Sequence, residues 1–285
     1  MTVERVGVVG CGLIGTGIAD ISARAGFEVR VAVSSEPAIE RARRRCTASL
    51  DRALRKGKLA PEEHQAALGR LTFTADLNEL ADRQLVFEAV PEEQEAKVQV
   101  FGQLDKTVTD PEAILASVTS AIPIIRLSRA TARPERVVGA HFFNPVTALP
   151  LVEVIASKLT SDSTVERLTE LLVGPLQRQV IRAQDRSGFV VNALLIPYLL
   201  AAMRMVEAGT ATADDIDRGM TLGCGHPMGP LALADLIGLD VVEAVGNSLF
   251  EEFREPLHAP PPILVHMVEV GLLGRKTGRG FFEYK

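Results

Sequence analysis

The chain has 285 residues, 47 % apolar and 24 % charged, a balance that excludes wholesale disorder and fits one large or two ordinary domains. A net charge of -5 argues against a protein that tracks nucleic acid through global charge. Three scattered cysteines, Cys11, Cys46 and Cys224, form no C-x-x-C pair, which excludes a disulfide framework and a thiolate zinc site and fits a reducing compartment.

The first two-thirds of the chain alternate β-branched runs with helical patterns. Val6 to Val9 reads as a buried strand, Ile14 to Ala25 as a helix, Val29 to Val33 as a second strand and Glu36 to Lys56 as a long charged helix. Leu85 to Phe87, Ala113 to Ala116, Arg136 to Ala140 and Leu151 to Ile155 are further strand candidates, and the alternation implies parallel βαβ units. After Asp185-Arg186-Ser187-Gly188 the chain turns helical, over Phe189 to Ala208, Ala213 to Leu222, Pro230 to Leu239 and Pro261 to Val270. Ser187 is the expected N-cap of the first of these, and Pro197 is expected to kink it. The expected fold is α/β: a Rossmann-type dinucleotide-binding domain over residues 1–186, followed by an all-helical C-terminal domain over 187–285. These last helices are too few to enclose a core of their own, yet carry Leu194, Leu195, Ile196, Leu199 and Leu200. Val6, Val8 and Val9 lead into glycines rather than a signal-peptide core. The most apolar stretch, Val190 to Met203, is interrupted by Asn192 and Pro197 and is too short to span a bilayer. A soluble, cytoplasmic protein without membrane or nucleic-acid partners is expected.

Gly10-Cys11-Gly12-Leu13-Ile14-Gly15 is G-x-G-x-x-G between a strand and a helix, the context in which this pattern cradles a dinucleotide pyrophosphate. An acidic residue at the end of the second strand would bind a ribose 2′-hydroxyl, but Val33-Ser34-Ser35 stands there, and Glu36 comes a few residues late. Losing the acid also removes repulsion against a 2′-phosphate, which Ser34, Ser35 or Arg41 could meet, so NAD and NADP both stay open. From Glu40 to Lys58, eight cations face only Glu40 and Asp51, a net +6 that suits a solvated helix or an anion site for a phosphorylated ligand. No aromatic residue interleaves these cations, which disfavours nucleic acid. Cys11 and Cys224 read as small buried residues, and His64, His258 and His266 lack ligand spacing, so no metal is expected. His141, following a strand, and Glu153, twelve positions on in the next, suit acid–base chemistry if the chain returns like a hairpin.

With these residues goes a resemblance over essentially the whole chain. It is carried by the glycine loop, Phe87-Glu88-Ala89-Val90-Pro91-Glu92, His141-Phe142-Phe143-Asn144-Pro145, Ser187-Gly188-Phe189-Val190-Val191-Asn192, His226-Pro227-Met228-Gly229-Pro230 and Gly274-Arg275-Lys276-Thr277-Gly278-Arg279-Gly280-Phe281. The sequence resembles the 3-hydroxyacyl-CoA dehydrogenase family, and within it the short bacterial 3-hydroxybutyryl-CoA dehydrogenases. The resemblance implies hydride transfer between C3 of a 3-hydroxyacyl-CoA and a nicotinamide, with NAD as the family's cofactor. It implies His141 as general base, Glu153 as its orienting carboxylate, and Ser120 and Asn192 as hydrogen-bond partners of the substrate oxygen, Ser120 also near the nicotinamide. Gly10, Gly12, Leu13, Ile14 and Gly15, with Val33 and Ser34 at the ribose position, form the implied dinucleotide site. Glu92, Lys97, Asn144 and Lys276 match further cofactor contacts, and Ser49 and Lys56 match CoA contacts. A homodimer through the C-terminal domain is likewise implied. Val33 departs from the family's ribose-binding acid, and Val118 from the Asn of its Ser-Asn-Thr-Ser stretch. Two other readings share the fold: a catalytically weakened nucleotide sensor, prompted by these departures, and a dehydrogenase of a free hydroxy acid.

Overall fold

β-branched and aromatic runs without exposed faces can hydrogen-bond only inside a sheet covered on both sides, which is where the central strands of this chain lie. The structure is a computed structural model, and it describes residues 3–284. Its chain divides into two units, Met1–Asp185 and Arg186–Lys285.

The first unit runs β1 (Arg5–Val9), α1 (Leu13–Arg24), β2 (Glu28–Ala32), α2 (Glu36–Arg55), α3 (Pro61–Gly69), β3 (Leu71–Thr74), β4 (Leu85–Glu88) and α4 (Gln94–Thr107). It continues with β5 (Ile114–Ser117), α5 (Ile124–Ser128), β6 (Val137–Phe142), β7 (Leu151–Ala156), α6 (Asp162–Val173) and β8 (Gln179–Gln184). The eight strands form one sheet in the order β3-β2-β1-β4-β5-β6-β7-β8. From β3 to β6 neighbours are parallel; β7 runs antiparallel to β6 and parallel to β8. Chain order reverses direction between β1 and β4, so the crevice beyond their carboxyl ends is the switch point at which open α/β sheets bind ligands. Residues of β4, β5 and β6 are buried throughout, and Phe87 meets Phe142 edge to face at 5.8 Å. Strands β3 and β8 are not expected from the sequence pattern. Both are edge strands, and β8 carries Gln179, Arg182 and Gln184, which removes the apolar run that marks a buried strand.

The second unit comprises α7 (Val191–Glu207), α8 (Ala213–Cys224), α9 (Pro230–Ile237), α10 (Leu239–Phe253) and α11 (Pro262–Glu269). Four expectations are corrected here. Ser187 does not cap α7: Gly188 and Phe189 both turn left-handed, so the helix starts at Val191, and the Ser187 amide donates to Glu252 instead, at 2.8 Å. The helix expected to end at Leu239 ends at Ile237, and Gly238 separates it from α10, an additional helix not expected from the sequence. That helix supplies Leu239, Val242 and Leu249 to an apolar core shared with Ile196, Leu199 and Leu200, so these helices do enclose a core of their own. Pro197 lies inside α7 without ending it, and Leu194, on the opposite side from Ile196 and Leu200, is 74 % exposed. Cys224, expected to be buried, is exposed at the last position of α8.

Candidate functional site

The loop after β1 is shaped by its three glycines. Gly10 has φ +93°, and a Cβ there would fall 2.5 Å from the Ala89 carbonyl oxygen; a Cβ on Gly15 would fall 2.1 Å from the Gly10 oxygen. Neither position accepts a side chain. A Cβ on Gly12, in contrast, meets nothing within 4 Å, so this residue faces open space directly before α1. The first turn of α1, Leu13, Ile14 and Gly15, has no acidic residue, and Gly12 brings no capping side chain. Its leading amides and the positive end of the helix dipole therefore suit an anion approaching over Gly12. On this geometry the loop fits a dinucleotide pyrophosphate. The Cys11 carbonyl points away from that space and accepts from the Arg45 guanidinium at 2.8 Å, which ties the loop to α2.

At the end of β2, Val33 packs against the core and its amide donates to the Thr74 carbonyl, while Ser34 and Ser35 are exposed and Glu36 opens α2. The cations of α2 have separate tasks. Arg43 and Arg44 reach Glu40, Arg43 also lies over the Phe73 ring, and Arg45 holds the loop. Lys56 is exposed at the C-terminal end of α2. It stands two helical turns from Ser49, and thus on the same side of the helix. Ser49 is half-buried and donates to Asp20 at 2.5 Å. Burial pushes the Asp20 carboxyl above its ordinary range, against the opposing pull of Ser49 and Arg24.

The antiparallel pairing of β6 with β7 sets His141 directly opposite Glu153. Glu153 has no exposed surface, His141 is buried, and Nδ1 lies 2.6 Å from Glu153 Oε2. Directly paired residues in an antiparallel ladder have adjacent side chains on one face, which is why a twelve-residue separation closes into a contact. His141 is the fifth residue of β6 rather than the residue after it, because pairing with β7 extends to Phe142. The Phe143 ring covers the imidazole at 4.7 Å. With Nδ1 donating to the carboxylate, the neutral ring carries its lone pair on Nε2.

A second cluster joins β4, β5 and α4. Lys97 is fully buried, and its ammonium donates to Glu88 Oε1 at 2.7 Å and to the Val90 carbonyl at 3.2 Å, with Glu92 Oε2 at 3.4 Å. Ser117 donates to the other Glu88 oxygen at 2.6 Å. Glu92 Oε1 accepts from the Thr119 hydroxyl at 2.5 Å, the Ser120 amide at 2.8 Å and the Ala121 amide at 3.2 Å. Burial raises the Glu92 carboxyl, but Lys97 and these donors outweigh it and hold the group below its usual range. Lys97 and Glu92 thus come together with Ser120, and Lys97 reaches the loop through Glu92. Glu88, Ser117 and Thr119 are missing from the sequence-derived set. The available signal was an acid ending an otherwise apolar strand, which burial obliges to find a donor.

Asn144 is exposed in the loop after β6. In the second unit, Asn192 is half-buried as the second residue of α7, and the Lys276 ammonium pairs with Asp240. Two of the quoted motifs do packing work there. Gly229 abuts Asp217, whose carboxylate caps α9 through the Leu231 and Ala232 amides, both at 2.8 Å. Gly280 abuts buried Asp235, which accepts from the Phe281 and Phe282 amides and the Tyr284 hydroxyl.

Residues 5–186 match the 3-hydroxyacyl-CoA dehydrogenase NAD binding domain, and residues 188–284 match the 3-hydroxyacyl-CoA dehydrogenase C-terminal domain. The chain is similar to a 3-hydroxybutyryl-CoA dehydrogenase of Mycobacterium tuberculosis, 54 % identical over 282 residues that cover 99 % of each chain. Among solved structures it is similar to M. tuberculosis FadB2, with 53 % identity, full coverage of both chains and a TM-score of 0.98. It is also similar to the (S)-3-hydroxybutyryl-CoA dehydrogenase PaaH1 of Ralstonia eutropha, with 40 % identity, full coverage and a TM-score of 0.94.

The Glu92 cluster makes stability depend on pH. Its carboxyl sits below the ordinary value when folded, so its contribution is complete above the unfolded value of about 4.3 and disappears as pH falls through the folded one. Wild type should therefore melt above Glu92→Gln near neutrality, and the gap should narrow on acidification below about pH 4. A gap in melting temperature that stays constant between pH 7 and pH 3 would show that the charge on Glu92 carries none of it.

Proposed function

Because the chain belongs to the 3-hydroxyacyl-CoA dehydrogenase family, we propose that it interconverts 3-hydroxybutyryl-CoA and acetoacetyl-CoA with NAD(H) as the hydride carrier. The observation that carries this reading is the buried His141–Glu153 pair, with its 2.6 Å hydrogen bond. Glu153 accepts from Nδ1 and fixes the ring, so Nε2 is the atom that takes the proton of the substrate 3-hydroxyl. The imidazolium formed then faces a buried carboxylate, which stabilises it until the proton is returned in the reverse direction. A bound nicotinamide supplies the hydride acceptor or donor for substrate C3. Ser120, held through its amide by Glu92, acts as a hydrogen-bond partner of the substrate oxygen, a role that the family resemblance also implies for Asn192.

Gly10, Gly12, Leu13, Ile14 and Gly15 would hold the dinucleotide pyrophosphate, with Val33 and Ser34 beside the ribose. Glu92, Asn144 and Lys276 would provide further contacts, and Lys97 would act through Glu92. The nucleotide end of CoA is polyanionic, which suits the basic stretch of α2, with Ser49 and Lys56 on one side as its contacts. The C-terminal unit exposes Leu194, Leu222 and Val270 at 70 % or more, and we read it as the dimerisation domain of a homodimer.

Purified protein should oxidise NADH in the presence of acetoacetyl-CoA. His141→Ala should lower kcat by about 10²–10⁴ with cofactor binding nearly intact, and Lys56→Ala should raise KM for the thioester alone. Absence of turnover by wild type, or near-normal turnover by His141→Ala, would overturn the assignment.

Cofactor choice tests the role of Val33. A valine accepts no hydrogen bond from the 2′-hydroxyl, and a hydrogen bond to a charged group is worth roughly 1.5–3 kcal/mol. Wild type should discriminate weakly against NADPH, and Val33→Asp should shift the ratio of kcat/KM values toward NADH by at least about tenfold, or roughly 1.4 kcal/mol. A wild type that already prefers NADH a thousandfold and is unmoved by Val33→Asp would place the ribose reader elsewhere. Sedimentation at micromolar concentration should show a dimer; a single 30.7 kDa species would refute it.

A further inference from the structure

Two thiols lie in contact beneath the glycine loop. Cys11 stands between Gly10 and Gly12, Cys46 lies in the middle of α2, and their sulfur atoms are 3.7 Å apart. An S–S bond of about 2.05 Å would need the pair to close by roughly 1.7 Å. Burial is unequally divided. Cys46 is fully buried between Ala42 and Leu50 on the core side of α2, whereas Cys11 is 8 % exposed and flanked by two glycines. Reactivity is unequally divided in the same sense. The contact with Cys46 favours ionisation of Cys11, burial opposes it, and the Thr16 hydroxyl at 3.4 Å and the Arg45 cation favour it. The Cys11 thiol is thereby lowered to about 7 and that of Cys46 is pushed up. A more acidic thiol in contact with a more deeply buried one is the arrangement of an attacking and a resolving cysteine.

We propose that Cys11 and Cys46 form a reversible, peroxide-driven disulfide that pulls the glycine loop out of its dinucleotide-binding shape. The Cys11 thiolate attacks one oxygen of a hydroperoxide and the O–O bond breaks. The departing oxygen leaves as water or an alcohol after taking a proton, and Cys11 becomes a sulfenic acid. The Cys46 sulfur then attacks the Cys11 sulfur, the S–O bond breaks, and hydroxide leaves as water with the Cys46 proton. Two thiols lose two electrons in total and one peroxide gains them; a thiol reductant reverses the bond by exchange. Closure draws the Cys11 backbone toward α2 and displaces the Gly12 amide and the entry to α1. The cross-link itself is independent of the proposed function, while its effect on dinucleotide binding rests on it.

The test uses full-length protein carrying Cys224→Ser, which removes the exposed third thiol. After treatment with hydrogen peroxide, intact mass should fall by two hydrogens and a non-reducing peptide map should contain a Cys11–Cys46 cross-link. The Kd for NADH, read by titration calorimetry, should rise at least about tenfold, in line with the cost of misplacing a binding group by an ångström, and dithiothreitol should restore it. With Cys46→Ala added, the reaction should stop at a Cys11 sulfenic acid that dimedone captures. Folded protein that yields no cross-link overturns the proposal, as does a cross-linked form that binds NADH as well as the reduced one. A reduced protein that does not bind NADH overturns the proposed function and the loop effect together, while the peptide map still decides the cross-link.

Discussion

A carboxylate taken wholly out of water costs several kcal/mol unless a proton donor meets it, and Glu153 is met by His141. The rest of the first unit is arranged so that this pairing can occur. One antiparallel step in a sheet that is parallel from β3 to β6 brings β7 back beside β6. That reversal places an acid opposite a histidine at a register where both side chains lie on one face. Strands on either side are packed enough to leave the pair little freedom, and Phe143 closes over the ring. A mobile, solvated carboxylate would orient the imidazole less well and stabilise its protonated form less, since water would screen the pair.

The same constraint recurs at Glu88, at the end of β4. Here the donors are Lys97 and Ser117, and the surplus of Lys97 extends to Glu92 and the Val90 carbonyl. Glu92 in turn gathers the amides of Ser120 and Ala121. A buried ion pair of this kind contributes little net stability, because desolvation offsets attraction. What it does supply is shape: Lys97, held in the interior by Glu88, anchors the Glu92 carboxylate that fixes the loop carrying Ser120. Lys97 therefore belongs to the scaffold of the site rather than to its exposed surface.

The helix α2 shows how one element serves several ends. Its inner side, Ala42, Cys46 and Leu50, packs on the core. Arg45 reaches across to hold the glycine loop by a charge-assisted hydrogen bond, and Ser49 satisfies buried Asp20. The remaining cations face solvent. A net charge of +6 over this stretch is thus a mixture of structural and solvated charge, and its raw count overstates what a ligand would meet.

The amino-acid sequence alone determined the α/β class, the glycine loop, the change to helices near residue 186, and the residues that carry the family resemblance. These are legible because they depend on local periodicity and on residue types that few backbone geometries accept, as at Gly10 and Gly15. The candidate pair His141 and Glu153 was visible as chemistry, but its contact was decided by the register of β6 against β7, which no local pattern encodes. Tertiary structure alone decided that α10 completes a core in the second unit, that Gly188 and Phe189 delay the start of α7, and that Cys224 is exposed while Cys11 meets Cys46. For the core of the second unit and for the Cys11–Cys46 contact the deciding quantity is a distance between residues far apart in the chain, set by how buried surfaces pack.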